Sequence, residues 1–414
     1  MTGRIATRVA GRWLVLSLIV FMLNQASINM IRPMVAYRAL ALGLGPASLG
    51  LLSASFSITP LLLALRMGRM IDRRGSTIFI AVGTVALIVA GFGLALVSTP
   101  ESAWMLFVLF ALLGLGEITT GVATQAMIAR HGDERTYDRG FAAFSFFASI
   151  GQMAGPAMAA LVAGGGSPDE VTRTMVIGAA IGVLILPLLL LIRPPATTAQ
   201  AVEPAGHPLD TTLLGILRTP GIFRAILVGT TVLSSIDIVV MYLPALGQER
   251  LWAASLVGSL LAVRAGASMA VRVVLGSLAA RLGRPVLLVA SMAVSAVALL
   301  ALPFLTPLPL VVLAMVAAGA GLGIGQPLSL AWVASAAPRP ARATALAIRI
   351  MGNGVGRIAL PVVAGTLAAV AGAAGVLVAT AGVMALSLAA VFGGLTGQSA
   401  PPGAPPAHAP DDRA

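Results

Sequence analysis

Apolar runs of about twenty residues or more follow one another along almost the whole chain, and each is long enough to cross the hydrocarbon of a bilayer. Six lie near 13–36, 47–68, 76–98, 103–128, 140–163 and 171–192. A Pro-rich polar stretch over 193–221 follows, and then six more runs lie near 222–246, 252–279, 285–305, 309–336, 343–370 and 375–396. With 58% hydrophobic and 10% charged residues in 414, one soluble core could not hide this much apolar surface, so lipid must be the solvent. The expected fold is an all-α integral membrane protein of twelve transmembrane helices. Its halves are expected at 1–192 and 222–396, joined by a cytoplasmic linker at 193–221, with a disordered cytoplasmic tail at 397–414. Arg4, Arg8 and Arg12 ahead of the first run imitate the start of a signal peptide. The run continues through Asn29 and Arg32 without a clear cleavage site, so an uncleaved first span is expected.

All 26 basic residues are arginine and there is no cysteine, which removes whole classes of chemistry. Without lysine there is no phosphate-binding G-x-x-x-x-G-K-[ST] loop and no lysine Schiff base. His131, His207 and His408 all fall in polar segments, so no histidine cluster can hold a metal within the membrane. Neither an enzyme nor a cofactor is expected. The formal charge of +12 does not point to nucleic acid, because in a membrane protein arginine accumulates in cytoplasmic loops. With the N-terminus inside, eighteen arginines fall on the cytoplasmic side and only Arg38, Arg173 and Arg250 on the other. Both termini are therefore expected in the cytoplasm, and the chain in the inner membrane of a bacterium.

Two segments repeat. Gly68-Arg69-Met70-Ile71-Asp72-Arg73-Arg74-Gly75 follows the second run, and Gly276 to Arg284 follows the eighth. Gly68, Arg73 and Gly75 match Gly276, Arg281 and Gly283 at a constant offset of 208 residues, as a six-plus-six duplication would give. A G-x-x-x-D-R-x-G loop after helix 2, with a degenerate copy after helix 8, resembles the signature of the major facilitator superfamily. That resemblance implies two pseudo-symmetric six-helix bundles and transport by alternating access. It also implies a gating role for Gly68, Asp72, Arg73, Gly75, Gly276, Arg281 and Gly283. The copies depart from the pattern: Ser76 and Thr77 stand where a basic residue is usual, and Ala280 replaces the acid. The alternative reading of these arginines is that they are topology anchors only. Gly151-Gln152-Met153-Ala154-Gly155-Pro156 resembles the core of an exporter motif of the same superfamily, although G-x-x-x-G is equally a packing face between helices in lipid.

Polar side chains avoid every third helix: runs 3, 6, 9 and 12 carry no charge or amide within their apolar stretches. The resemblance places those four on the outside and helices 1, 4, 7 and 10 around a cavity. Gln25, Asn29 and Arg32 share one face of helix 1, and Glu117 and Asp237 lie near mid-depth in helices 4 and 7. Helix 8 carries Arg264 and Arg272, helix 10 Gln326, and helix 11 Arg349, Asn353 and Arg357. Arg32 and Arg272 are close enough to helix ends to snorkel, whereas Arg264 and Arg357 are not. Asp237 has Arg264 or Arg357 as an ion-pair partner to choose between.

Five arginines against Glu117 and Asp237 leave a formal excess of +3 within the spans, which suits a small organic anion. Arg264, Arg349 and Arg357 are expected to supply positive charge to the substrate, and Asn29, Gln152, Gln326 and Asn353 hydrogen bonds. Glu117 or Asp237 is expected to carry a proton. The partners are then a small solute, protons and lipid, with the chain working as a monomer. Two alternatives stand beside this: an exporter of amphipathic drugs, and a membrane sensor or scaffold that transports nothing. Drug exporters of the superfamily usually carry an arginine in helix 4 where this chain has Phe110.

Overall fold

The structure is a computed structural model that describes residues 2–131, 134–193, 219, 221–337 and 342–395. The tail expected at 397–414 lies outside the described residues, as does nearly all of the 193–221 linker. The described residues are helical throughout apart from short turns: α1 (Thr2–Ala41), α2 (Pro46–Arg74), α3 (Ser76–Leu96), α4 (Trp104–His131), α5 (Glu134–Val162) and α6 (Pro168–Leu190) form the first half. The second half is α7 (Ile222–Glu249), α8 (Ala254–Leu282), α9 (Arg284–Ala301), α10 (Leu308–Ala336) and α11 (Arg342–Leu395).

Eleven helices nevertheless make twelve spans. At 54 residues α11 would be about 80 Å long, far more than the ~30 Å of hydrocarbon it has to cross. It breaks at Gly372, whose φ of 62° and ψ of −168° are open only to glycine, into arms over 342–371 and 373–395. Glu249, at the end of α7, accepts a hydrogen bond at Oε1 from the Ala373 amide (2.8 Å) and so caps the second arm. Runs 11 and 12 were expected as separate helices; here a single glycine takes the place of a loop.

The duplication is visible in the backbone. Gly75 ends α2 and starts α3 at φ 90°, ψ 146°; Gly283 ends α8 and starts α9 at φ 79°, ψ 147°. Each amide donates to the carbonyl four residues earlier, Ile71 and Ala279, at 2.9 and 3.1 Å. Two glycines 208 residues apart thus make the same positive-φ turn, which is why the motif has glycine at that position in both halves.

Within the first half α5 lies along α1. A Cβ on Gly151 would collide with the Met22 carbonyl oxygen and one on Gly155 with that of Ala26, so the G-x-x-x-G pair of α5 is a face on which α1 rests directly. Between the halves α2 meets the first arm of α11, α5 meets α8, and α1 and α7 run down the centre as the most buried spans. These contacts are tight at one end of the molecule. Gly50 abuts Pro361 and Gly365, Gly258 abuts Pro156 and Ala160, and Gly166 covers Ala254 and approaches Tyr37. The Ser255 amide even donates to the Gly164 carbonyl across the divide (3.0 Å). Toward the other end, which carries the Gly75 and Gly283 turns, two spaces open between the halves.

Candidate functional site

Two spaces separate the halves on the open side. One, of 590 Å³, is lined by Ser145, Ser149, Arg272, Gln326 and Arg349 among apolar residues such as Phe146, Leu233 and Met269. The other, of 340 Å³, is lined by Gln25, Glu117, Gln125, Gln152, Arg272 and Arg357. Arg272 belongs to both. No lining residue of either comes from α3, α6, α9 or the second arm of α11, which matches the absence of polar side chains from every third apolar run.

The floor of this region is an ion-pair cluster that joins the halves. Asp237 on α7 accepts from Arg32 Nη2 of α1 at Oδ1 (2.6 Å) and from Arg357 Nε of α11 at Oδ2 (2.6 Å). Arg357 Nη2 adds a longer bond to Oδ1 (3.3 Å). Both carboxylate oxygens are thus taken, and the Arg32 guanidinium also lies 4.5 Å from the Phe56 ring centre. Arg357 keeps 23% of its side-chain surface and faces the smaller space, whereas Arg32 is sealed.

Arg32 was expected to snorkel from the end of helix 1. Instead α1 continues to Ala41, which places Arg32 more than two turns inside the helix, only 5% exposed. The same extension buries Arg38, counted from the sequence as a loop residue; it donates to the Val97 carbonyl (2.8 Å) and to Thr172, tying α1 to the ends of α3 and α6. Of the two partners foreseen for Asp237, Arg357 pairs with it and Arg264 does not. The phase shared by Gln25, Asn29 and Arg32 was the available sign that Arg32 faces inward.

Arg272 and Arg349 have neutral partners. Arg272 Nη1 donates to Ser149 Oγ across the halves (3.0 Å) and Nε to the Gly323 carbonyl (3.3 Å). Arg349 Nη2 reaches Ser329 Oγ (3.0 Å) and Gln326 Oε1 (3.3 Å), and Gln326 Nε2 is anchored on the Gly229 carbonyl (2.8 Å). Arg264 has no hydrogen bond or ion pair among the described residues. Only 7% exposed, with Nε sealed, it lies within electrostatic reach of Arg32, Arg272 and Asp237.

Several expected binders are occupied within the protein. Asn29 donates to the Gln25 carbonyl of its own helix (2.8 Å), and Asn353 accepts from Thr230 (3.1 Å). Gln152 lines the smaller space beside Glu117, whose carboxylate accepts no hydrogen bond among the described residues. Gln25 lines the same space with a buried Oε1 that has no partner, a residue the sequence placed on the right face without singling it out. In the expected gating loop, Arg73 is exposed at the end of α2, and Gly276 and Arg281 lie in the last turns of α8. Gly68 and Asp72 lie in α2, with their side chains outside the description.

No curated protein matches the chain by sequence. Among solved structures, a point-mutant form of the nucleoside transporter NupG superposes with a TM-score of 0.75 at 17% identity, over 92% of this chain and 99% of that one. A bacterial homologue of the human lysosomal transporter Spinster, inward-facing and occupied, gives a TM-score of 0.72 at 14% identity over 92% and 96%. A POT family transporter in complex with a thioalcohol-conjugated peptide gives 0.69 at 14% over 93% and 96%. At these identities the likeness is one of fold. Residues 17–272 and 234–413 both match the Major Facilitator Superfamily, and the chain belongs to that family.

Proposed function

We propose that this transporter moves a small organic anion across a bacterial inner membrane by alternating access, driven by protons. The observation that carries the substrate class is that Arg264, Arg272 and Arg349 have no carboxylate partner, while Asp237 is consumed by Arg32 and Arg357. Uncompensated guanidiniums within membrane depth attract and orient carboxylate or phosphoryl groups. Placing the arginine-rich face in the cytoplasm makes this an inward-facing conformation, with substrate entering between α5 and α8. Gln326 and Gln152 supply the neutral surroundings, while Asn29 is bonded within α1 and Asn353 ties α11 to α7. The gating loop turns at Gly75 and Gly283 stay rigid as the bundles rock. One chain contains both bundles, so a monomer is sufficient.

Glu117 is the better candidate for the proton carrier, because it faces the smaller space beside Arg357 without a hydrogen bond, whereas both Asp237 oxygens are engaged. Glu117→Gln is expected to abolish uptake driven by a pH gradient in proteoliposomes while exchange of labelled for unlabelled substrate continues. Loss of both, in a variant that still binds substrate, would assign Glu117 to the transport step itself. The apolar wall of the larger space favours a second reading, export of amphipathic compounds. Ligand-induced thermal shifts decide between them: stabilisation by lipophilic cations and not by organic acids selects the exporter.

A further inference from the structure

Arg264, Ser268 and Arg272 follow one another at i, i+4 and i+8 and so share one face of α8. The two arginines differ in depth. Arg272 lines both open spaces, while Arg264 lies two turns, about 12 Å along the axis, nearer the closed end. Neither meets an acid. Arg272 is held by Ser149 Oγ and the Gly323 carbonyl, and Arg264 by nothing among the described residues. The carboxylate nearest to Arg264 in electrostatic terms, Asp237, has both oxygens committed elsewhere. A buried guanidinium without partner is costly, and a bound anion at that depth would relieve it. A monoanion can satisfy either the deep arginine or the outer one. A solute with an anionic group at each end satisfies both, with Arg349 of α11, held by Gln326 and Ser329 of α10, flanking the outer group.

We propose that the substrate is a small organic dianion, a dicarboxylate or a phosphorylated acid, held lengthwise along α8 with one group on Arg264 and the other on Arg272. This rests on the anion reading above and narrows it. The flexible arginine side chains close part of the distance between the two positions, so a chain of a few carbons between the charges fits. The deep group, once at Arg264, sits beside the Arg32–Asp237–Arg357 cluster.

The test uses the purified full chain in detergent and reads affinity from ligand-induced thermal shifts. The probes are glutarate, its monomethyl ester (the same skeleton with one charge removed), succinate, sulfate, glycerol phosphate and butyrate, together with an uncharged nucleoside and a lipophilic cation. Wild type is expected to bind at least one organic dianion tenfold or more tighter than the matched monoanion. Arg264→Gln is expected to weaken the dianion by about tenfold to a hundredfold, as loss of a charge-assisted contact would, and the monoanion by less than about threefold. Arg272→Gln, at a site with more room, is expected to erase the same preference and serves if Arg264→Gln does not fold. Equal affinity for dianions and monoanions, or equal weakening of both by the substitutions, overturns the two-point site and leaves the anion reading intact. A response only to uncharged nucleosides or lipophilic cations overturns both.

Discussion

Asp237→Asn tests the central cluster most directly. The substitution preserves shape and one acceptor but strands two guanidiniums, with Arg264 nearby, so the local formal charge rises from +2 to +3. Removing one partner from a buried ion pair costs about 3–5 kcal/mol. Arg357, still 23% exposed, can be partly rehydrated from the cavity, so about 3 kcal/mol is expected, and most of it falls on Arg32. That cost is specific to the closed end, because the Arg32–Asp237 bond joins α1 to α7 whereas Arg357–Asp237 lies within the second half. Separating the halves would hydrate Arg32, so the variant should open there more often, by up to about a hundredfold for about 3 kcal/mol. The chain has no native cysteine, so a single cysteine replacing fully buried Ala254 under Gly166 reports that opening through its alkylation rate. The rate should rise in Asp237→Asn and fall back when Arg32→Gln is added, with a coupling energy of about 1–3 kcal/mol in the double-mutant cycle. Unchanged alkylation in Asp237→Asn, or strict additivity with Arg32→Gln, would refute the view that this pair holds the closed end together.

Three further substitutions probe the frame. Gly155→Ala should lower the melting temperature and the yield of folded protein, because even one methyl group meets the Ala26 carbonyl of α1; about 1–3 kcal/mol is expected, and a variant as stable as wild type would remove α5–α1 packing as the role of the motif. Glu249→Gln should cost about 1 kcal/mol by weakening the cap on the Ala373 amide, whereas Gly372→Ala should cost more because φ is 62° there; the reverse order in thermal unfolding would show that the cap, not the backbone, governs the kink.

The span count, the repeat and the bland outer helices were legible because each depends on local pattern: apolar length, a glycine at a fixed offset, and polar side chains that lipid would reject. Gly75 and Gly283 show how far such a pattern reaches, since matched spacing implied matched backbone and the two turns have φ of 90° and 79°. What the sequence left open was the choice of partners. Hydropathy places a helix end only roughly, and the extension of α1 to Ala41 turned Arg32 from a surface arginine into the partner of Asp237, and Arg38 into a buried clasp. Choosing Arg357 over Arg264 for Asp237 depends on the rotation of α8 and α11 about their own axes relative to α7. That is set by tertiary packing and leaves no mark on the periodicity of either helix.

The arginines without acid partners have one more consequence. In the bacterial inner membrane proposed above they would be fixed positive charges inside an electric field, where each elementary charge carried across 100 mV is worth about 2.3 kcal/mol. If the chain works as proposed in a membrane with the interior negative, voltage would draw an empty, positively charged cavity toward the cytoplasmic side. A solute with two negative charges cancels most of that pull. The membrane potential would then act mainly on the unloaded protein, and the step that returns it to the outside would be the one that slows as the cell becomes more polarised.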